Sequence, residues 1–183
     1  EVDLAIVVVP AERVLESLEE AAAKGVRAAI VFSSGFAEVG PAGRVAQARL
    51  RELAERLATA ASALKVGNAI HADTECGPLI RPKEVERVAK WIDEARAGGA
   101  QILCGGEKLS DTTYAPTVLL NPPVDATISR NEVFGPAVCV YAYTDVDAAI
   151  AQANSLDVAF QAAIFTNDLA GALHTYRNID ASA

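Results

Sequence analysis

The chain contains no methionine, two histidines and three cysteines among 183 residues, and aromatic residues make up 5% of it. A core that used methionine as its flexible filler would hold a few. Glu1 is not a translation start and stands two residues before a buried-strand pattern, so the sequence is expected to be a processed, excised or trimmed piece. His71 and His174 cannot supply a three-histidine metal site, and neither pairs with a cysteine at ligand spacing. Cys76, Cys104 and Cys139 are odd in number and widely spaced. They offer no disulfide framework and suit a reducing, cytoplasmic compartment. No apolar run approaches the roughly 18 residues of a membrane span, and no signal-peptide pattern opens the chain. Net charge is −8, with no basic block, which argues against a nucleic-acid surface. Neither GxGxxG nor GxxxxGK(S/T) occurs, and there is no repeat or low-complexity tract.

What is present is a globular balance, 51% apolar and 22% charged. Strand and helix patterns alternate along it. Asp3–Pro10 is a continuous apolar run of the kind buried on both faces of a parallel sheet. A helix is expected from about Ala11 to Gly25, then a strand over Arg27–Phe32, which completes a βαβ unit. From Pro41 a long helix is expected to run to about Leu64, with Ala46, Leu50, Leu53, Leu57, Ala61 and Leu64 on one face. A further helix starts near Pro82, with Val85, Val88, Ala89, Ile92 and Ala95 inward. Strands are expected at Gln101–Cys104, Thr117–Leu120, Ala137–Ala142 and Phe160–Phe165. Helices are expected at Val146–Ala153 and at Leu169–Arg177, the last introduced by Asn167-Asp168. The fold class is α/β: three αβα layers around a mainly parallel, Rossmann-like sheet, in one compact unit.

Charge shifts along the chain. The first 66 residues carry nine acidic and eight basic side chains, and the rest carry fifteen and eight. The helical stripe runs through this boundary unbroken, so one helix is expected to join the two regions.

Few residues invite chemistry. The loop Ser33–Pro41 follows a strand, where open α/β sheets place ligands, and its amides could receive phosphate. An ordinary strand-to-helix loop is the simpler reading. Cys76 lies in the polar loop Asp73–Pro78, with His71 five residues away as a conceivable base. Asp73 and Glu75 would raise rather than lower its thiol pKa, which opposes a catalytic role. Cys104 and Cys139 fall in strand patterns and read as small core residues. The paired carboxylates Glu19-Glu20 and Asp93-Glu94 read as solvated helix faces. In Asn131-Glu-Val-Phe-Gly-Pro136, Asn131 and Glu132 could hydrogen-bond a ribose and Phe134 could stack on a planar ring. On physical grounds alone, a turn with a core phenylalanine is favoured.

Residues from about Leu50 to Ala183 resemble the C-terminal half of the catalytic domain of the aldehyde dehydrogenase superfamily. The resemblance is carried by Leu64-Lys-Val-Gly-Asn68, Asp73-Thr-Glu-Cys-Gly-Pro-Leu-Ile80, Gly98-Gly-Ala-Gln-Ile-Leu-Cys-Gly-Gly106, Tyr114-Ala-Pro-Thr-Val-Leu-Leu120, Asn131-Glu-Val-Phe-Gly-Pro136 and Phe160–Asp168. It implies an oxidoreductase using NAD or NADP, in which Glu132 binds the nicotinamide ribose and Phe134 contacts the nicotinamide. The family's nucleophilic cysteine stands in a G-Q-x-C context, which this sequence lacks, and Cys76 does not occupy that position. The general-base glutamate and the dinucleotide-binding domain have no counterpart either, so the chain alone is expected to be inactive.

Residues 1 to about 55 resemble the CoA-binding domain of NDP-forming acyl-CoA synthetases. Here the carrying stretches are Val2-Asp-Leu-Ala-Ile-Val-Val-Val-Pro10, Ala22-Ala-Lys-Gly-Val-Arg-Ala-Ala-Ile-Val31 and Ser33-Ser-Gly-Phe-Ala-Glu-Val-Gly40. By that resemblance Val9, Pro10, Phe32, Ser33 and Ser34 border a CoA site. The two resemblances imply a chimera, with segments 1–55 and 56–183 joined inside the helix at about 41–64. The expected function is that of an aldehyde dehydrogenase fragment; the alternatives are a CoA-binding module and a scaffold without activity. A small-molecule cofactor is the expected partner, and assembly with copies of itself stays open.

Overall fold

A computed structural model describes residues 4–7, 28–31, 41–143, 145–157, 162, 164, 166 and 168–181, the first two segments and residues 41–50 by secondary structure alone. Its elements are β1 (Leu4–Val7), β2 (Ala28–Val31), α1 (Pro41–Ala63), α2 (Pro82–Ala97), β3 (Gln101–Cys104), β4 (Thr117–Leu120), α3 (Thr127–Arg130), β5 (Ala137–Val140), α4 (Val146–Asn154) and α5 (Leu169–Asn178). The helix expected after Ala11 lies outside the described residues; of the strand expected at Phe160–Phe165 only Ala162 and Ile164 are described, and neither is in a strand. The α/β class holds; among the described residues there are two parallel strand pairs, β1·β2 and β4·β5, and one antiparallel pair, β3·β4.

The chain divides into two compact units, one formed by residues 1–51 with 143–183 and the other by residues 52–142. The division between residues 51 and 52 falls inside α1.

In the first unit β1 and β2 pair in register from Leu4 opposite Ala28 to Val7 opposite Val31. Two aspartates start its later helices by accepting orphan backbone amides. Asp145 takes Asp147 N at 2.8 Å and Ala148 N at 3.1 Å, and Asp168 takes Ala170 N and Gly171 N at 3.0 Å each. The two helices are tied by Asn154, whose side chain donates to Asn178 O (2.7 Å) and accepts from Asp180 N (2.9 Å). His174 Nε2 adds a contact to Asp147 Oδ1 at 2.5 Å.

The second unit is built on α2 and a three-stranded sheet in the order β3-β4-β5. Pro82 starts α2, where its missing N–H costs nothing. Val85, Val88, Ile92 and Ala95 recur every three or four residues and are fully buried against Tyr114, Leu119, Ala126 and Ile128. Burying each valine or isoleucine contributes about 1.5–3 kcal/mol. The central strand β4 is buried at all four positions. Its one polar member, Thr117, accepts from Gly106 N (2.9 Å) and donates to Ala115 O (2.7 Å), so no buried polar atom is left unpaired there. Gly105, at φ +67°, lies where a Cβ would come within 2.3 Å of Pro116 O, so the turn leaving β3 requires glycine.

Two expectations about burial change. In the described part of α1 Ala54 and Ala58 are buried, Leu53 and Ala61 of the expected stripe are half-buried, and Leu57, with Leu64 just beyond the helix, is about two-fifths exposed, so burial is displaced toward the alanine row. In β5, Val138 is half exposed, so this strand is not covered on both faces.

Candidate cofactor-binding loop

The loop 131–136 sits between α3 and β5 and is fixed at both ends. Its entry is set by Glu94, which reaches from α2 to the first turn of α3. The carboxylate accepts from Thr127 N at 2.9 Å and from Thr127 Oγ1 at 2.7 Å. The residue at the N-cap position, Ala126, has no side-chain acceptor, so Glu94 supplies the cap from a distant position. The Thr127 backbone amide, and then its hydroxyl, hold the Glu94 carboxyl below the usual carboxylate range. Glu94 is thus more than a solvated helix-face charge. Asn131 closes α3, its side-chain amide donating to Thr127 O at 3.0 Å, so this donor is spent inside the protein. The loop exit is held by β4, where Thr117 N donates to Pro136 O at 2.8 Å.

Between these ends the four residues divide by environment. Val133 packs on the core beside α2. Its carbonyl accepts from Arg87 Nη2 at 2.6 Å across 46 residues of sequence. Arg87 is itself held twice: Nε donates to Glu84 Oε2 at 2.7 Å, and the guanidinium lies 4.4 Å from the Trp91 ring centroid. Arg87 first, and Arg81 second, keep the Glu84 carboxyl below its ordinary range. On the other side, Gly135 passes so close to α2 that a Cβ there would lie 2.8 Å from Val88 Cγ2.

Phe134 stays outside this packing. It adopts φ +44°, rare for a residue with a Cβ, and its side chain is 76% exposed. The core-phenylalanine reading is corrected here, because Val133 occupies the core side and Phe134 is left outside. Glu132 is also exposed, and its carboxylate has no hydrogen bond or ion pair among the described residues. An ionised carboxylate offers acceptors only, suited to paired hydroxyl donors, and a bare phenyl face suits a flat ring. The two expected residues are thus both exposed in one short loop.

Cys76 is placed differently. Its loop is stitched to the chain after α1, with Cys76 N donating to Lys65 O and Gly67 N to Cys76 O, both at 3.1 Å. Lys65 pairs with Asp73 through its ammonium and with Glu75 through its backbone amide. Burial pushes the Cys76 thiol up, where nearby carboxylates had been the expected cause. The sulfur faces Gly77 O at 4.0 Å, and no hydrogen bond joins it to His71. Cys139 is likewise pushed up by burial, and it packs on the core as expected. No group of three or more potential metal ligands occurs among the described residues, and no described helix is long and apolar enough to cross a membrane. Val9, Pro10, Phe32, Ser33 and Ser34 lie outside the described residues.

Sequence reasoning missed Arg87, Trp91 and Glu94. The spacing of Arg81, Glu84, Arg87 and Trp91 along one helix face was a legible signal for the ladder itself. Its far partners, Val133 and Thr127, carried none.

Comparison with known proteins gives this arrangement a context. The family model described as the aldehyde dehydrogenase family matches residues 12–183, running through the helix in which two segments were expected to meet. The 3-sulfolactaldehyde dehydrogenase of Priestia megaterium is 41% identical over 132 residues, which is 72% of this chain and 26% of that protein. An aldehyde dehydrogenase from Bacillus cereus, solved as its NAD+ complex, aligns with TM-score 0.66 and 28% identity over 74% of this chain and 28% of that one. The glyceraldehyde-3-phosphate dehydrogenase GapN of Methanocaldococcus jannaschii, complexed with NADP, aligns with TM-score 0.67 and 29% identity over 72% of this chain and 28% of that one. The chain spans about a quarter of the length of such relatives.

Proposed function

Because the chain belongs to the aldehyde dehydrogenase family, we propose that it serves NAD(P)-dependent aldehyde oxidation by forming the nicotinamide side of the cofactor site. The observation that carries this reading is the outward pose of Phe134 in the same exposed loop as the unpaired Glu132. In it, Glu132 accepts hydrogen bonds from the ribose hydroxyls and Phe134 covers the nicotinamide ring. Bound there, the nicotinamide supplies the hydride acceptor. Exposed as it is, Phe134 loses water-accessible apolar surface on contact with a ring, which favours binding. The chain's own contribution ends there. Cys76, with its pKa raised by burial and no base in contact, is not the attacking thiol in this reading. The isolated chain is then a weak NAD(P) binder that oxidises no aldehyde. Three free cysteines support a reducing, cytoplasmic setting.

A second reading, CoA binding by the first segment, is favoured by one observation, the parallel pairing of β1 with β2 expected of its βαβ unit. Thermal denaturation with NAD, NADP and CoA separates the two, since a ligand that binds only the folded chain raises its midpoint. A rise with NAD or NADP that is lost in Glu132→Ala supports the cofactor loop. A response to CoA alone overturns it in favour of the second reading.

A further inference from the structure

The loop's pose is held from outside the loop. The preceding carbonyl, Val133 O, is gripped by Arg87, and the following residue, Gly135, passes Val88 so closely that a Cβ would lie 2.8 Å from its Cγ2, so two adjacent residues of α2 bracket Phe134. A non-glycine residue in the left-handed region costs of order 1–2 kcal/mol relative to its relaxed state. Such a conformation persists only where surrounding contacts overdetermine it. Val88 sets only a steric limit at Gly135, whereas the Arg87 contact is a charge-assisted hydrogen bond, the stronger kind.

We propose that Arg87 is a positioning residue for cofactor binding: stacked on Trp91 and paired with Glu84, it holds the Val133 carbonyl and thereby the outward pose of Phe134. Arg87 touches no cofactor in this account. It acts through the backbone, and the Glu84 pairing and Trp91 stacking limit the rotamers it would otherwise lose on forming the bond. The inference rests on the reading that Glu132 and Phe134 face the nicotinamide, yet its conformational half stands without any ligand.

The experiment is backbone NMR of the whole 183-residue chain, wild type against Arg87→Ala and Arg87→Lys, with and without NADH. The Cα shift and coupling constants of Phe134 report its φ, and amides of β3 and β4 report the core. In Arg87→Ala, Phe134 is expected to relax to negative φ while the β3 and β4 amides stay in place. Its NADH affinity is expected to fall by about tenfold, the scale of one lost hydrogen bond to a charged group. Arg87→Lys, which keeps the charge and one donor, is expected to fall between. An unchanged Phe134 φ in Arg87→Ala overturns the positioning role, whatever NADH does. NADH that perturbs no amide of residues 131–136 in the wild type overturns the underlying reading instead, so the two failures are distinct.

Discussion

Arg87 Nη2 donates to the carbonyl of Val133 at 2.6 Å, joining the middle of α2 to a loop 46 residues further along the chain. This contact and the close passage of Gly135 over Val88 decide which side chain of the pair Val133-Phe134 faces the core. Val133 takes the inside and Phe134 the outside. A core-packing constraint thereby presents an aromatic ring and a free carboxylate to solvent.

Gly135→Ala forces a Cβ to 2.8 Å from Val88 Cγ2, and that valine is fully buried with nowhere to move. Overpacking of this kind costs about 1–3 kcal/mol. The expected outcome is a lower urea midpoint, and a smaller further loss when Gly135→Ala is made in a Val88→Ala background. A variant as stable as the parent would show that the loop does not press on α2.

Glu94 should make stability depend on acid. Its carboxyl is held low by Thr127 in the folded state, so its contribution is present above the ordinary glutamate pKa of 4.5. It is lost as pH falls through the depressed folded value. Glu84, lowered by Arg87 and Arg81, adds in the same direction. Glu94→Gln is expected to lower the unfolding midpoint at neutral pH, with the gap to wild type closing in acid. A gap independent of pH would remove the cap from the account.

Tyr141 donates to Ser129 Oγ at 2.6 Å, and burial pushes its pKa up to about 12. The folded state therefore favours the neutral phenol, a contribution complete below the ordinary value of 10 and lost as pH rises through about 12. Tyr114 and Tyr143 are also pushed up by burial, so spectrophotometric titration should show late-ionising tyrosines whose number falls by one in Tyr141→Phe. An ordinary titration of all four tyrosines would contradict the burial argument.

Cys76 should behave as an inert thiol. Alkylation at neutral pH is expected to be slow, because burial raises its pKa and the thiolate is the reactive form. The isolated chain should give no NADH with any aldehyde. Saturable NADH production that disappears in Cys76→Ser would make this residue the nucleophile after all.

Much of the fold was legible because short elements with strong punctuation leave little choice. Gln101–Cys104 and Thr117–Leu120 are strands where the apolar runs place them, and the inward face of α2 follows its valines and isoleucine. In α1, periodicity identified the helix and its length, but two adjacent stripes share that period. Ala54 and Ala58 are the most buried, Leu53 and Ala61 are half-buried, and Leu57 is exposed. A cofactor reading of the 131–136 loop was open from its residue types and favoured only by the family resemblance, whereas its conformation was not legible. Val133 and Phe134 are neighbours of similar hydrophobicity, and nothing local says which turns inward. The deciding atoms, the Arg87 guanidinium and the Val88 methyl, belong to another element.

Energy transfer from Trp91 to NADH tests the central claim most directly. Trp91 is the single tryptophan of the chain, and it lies under the Arg87 guanidinium that holds the candidate loop. Titrating NADH into the 183-residue chain should quench Trp91 and sensitise nicotinamide emission along a saturating curve, with weak affinity. The signal should vanish in Glu132→Ala/Phe134→Ala. Saturable transfer of equal strength in that double variant, or none in the wild type, would contradict the assignment of this loop to the nicotinamide.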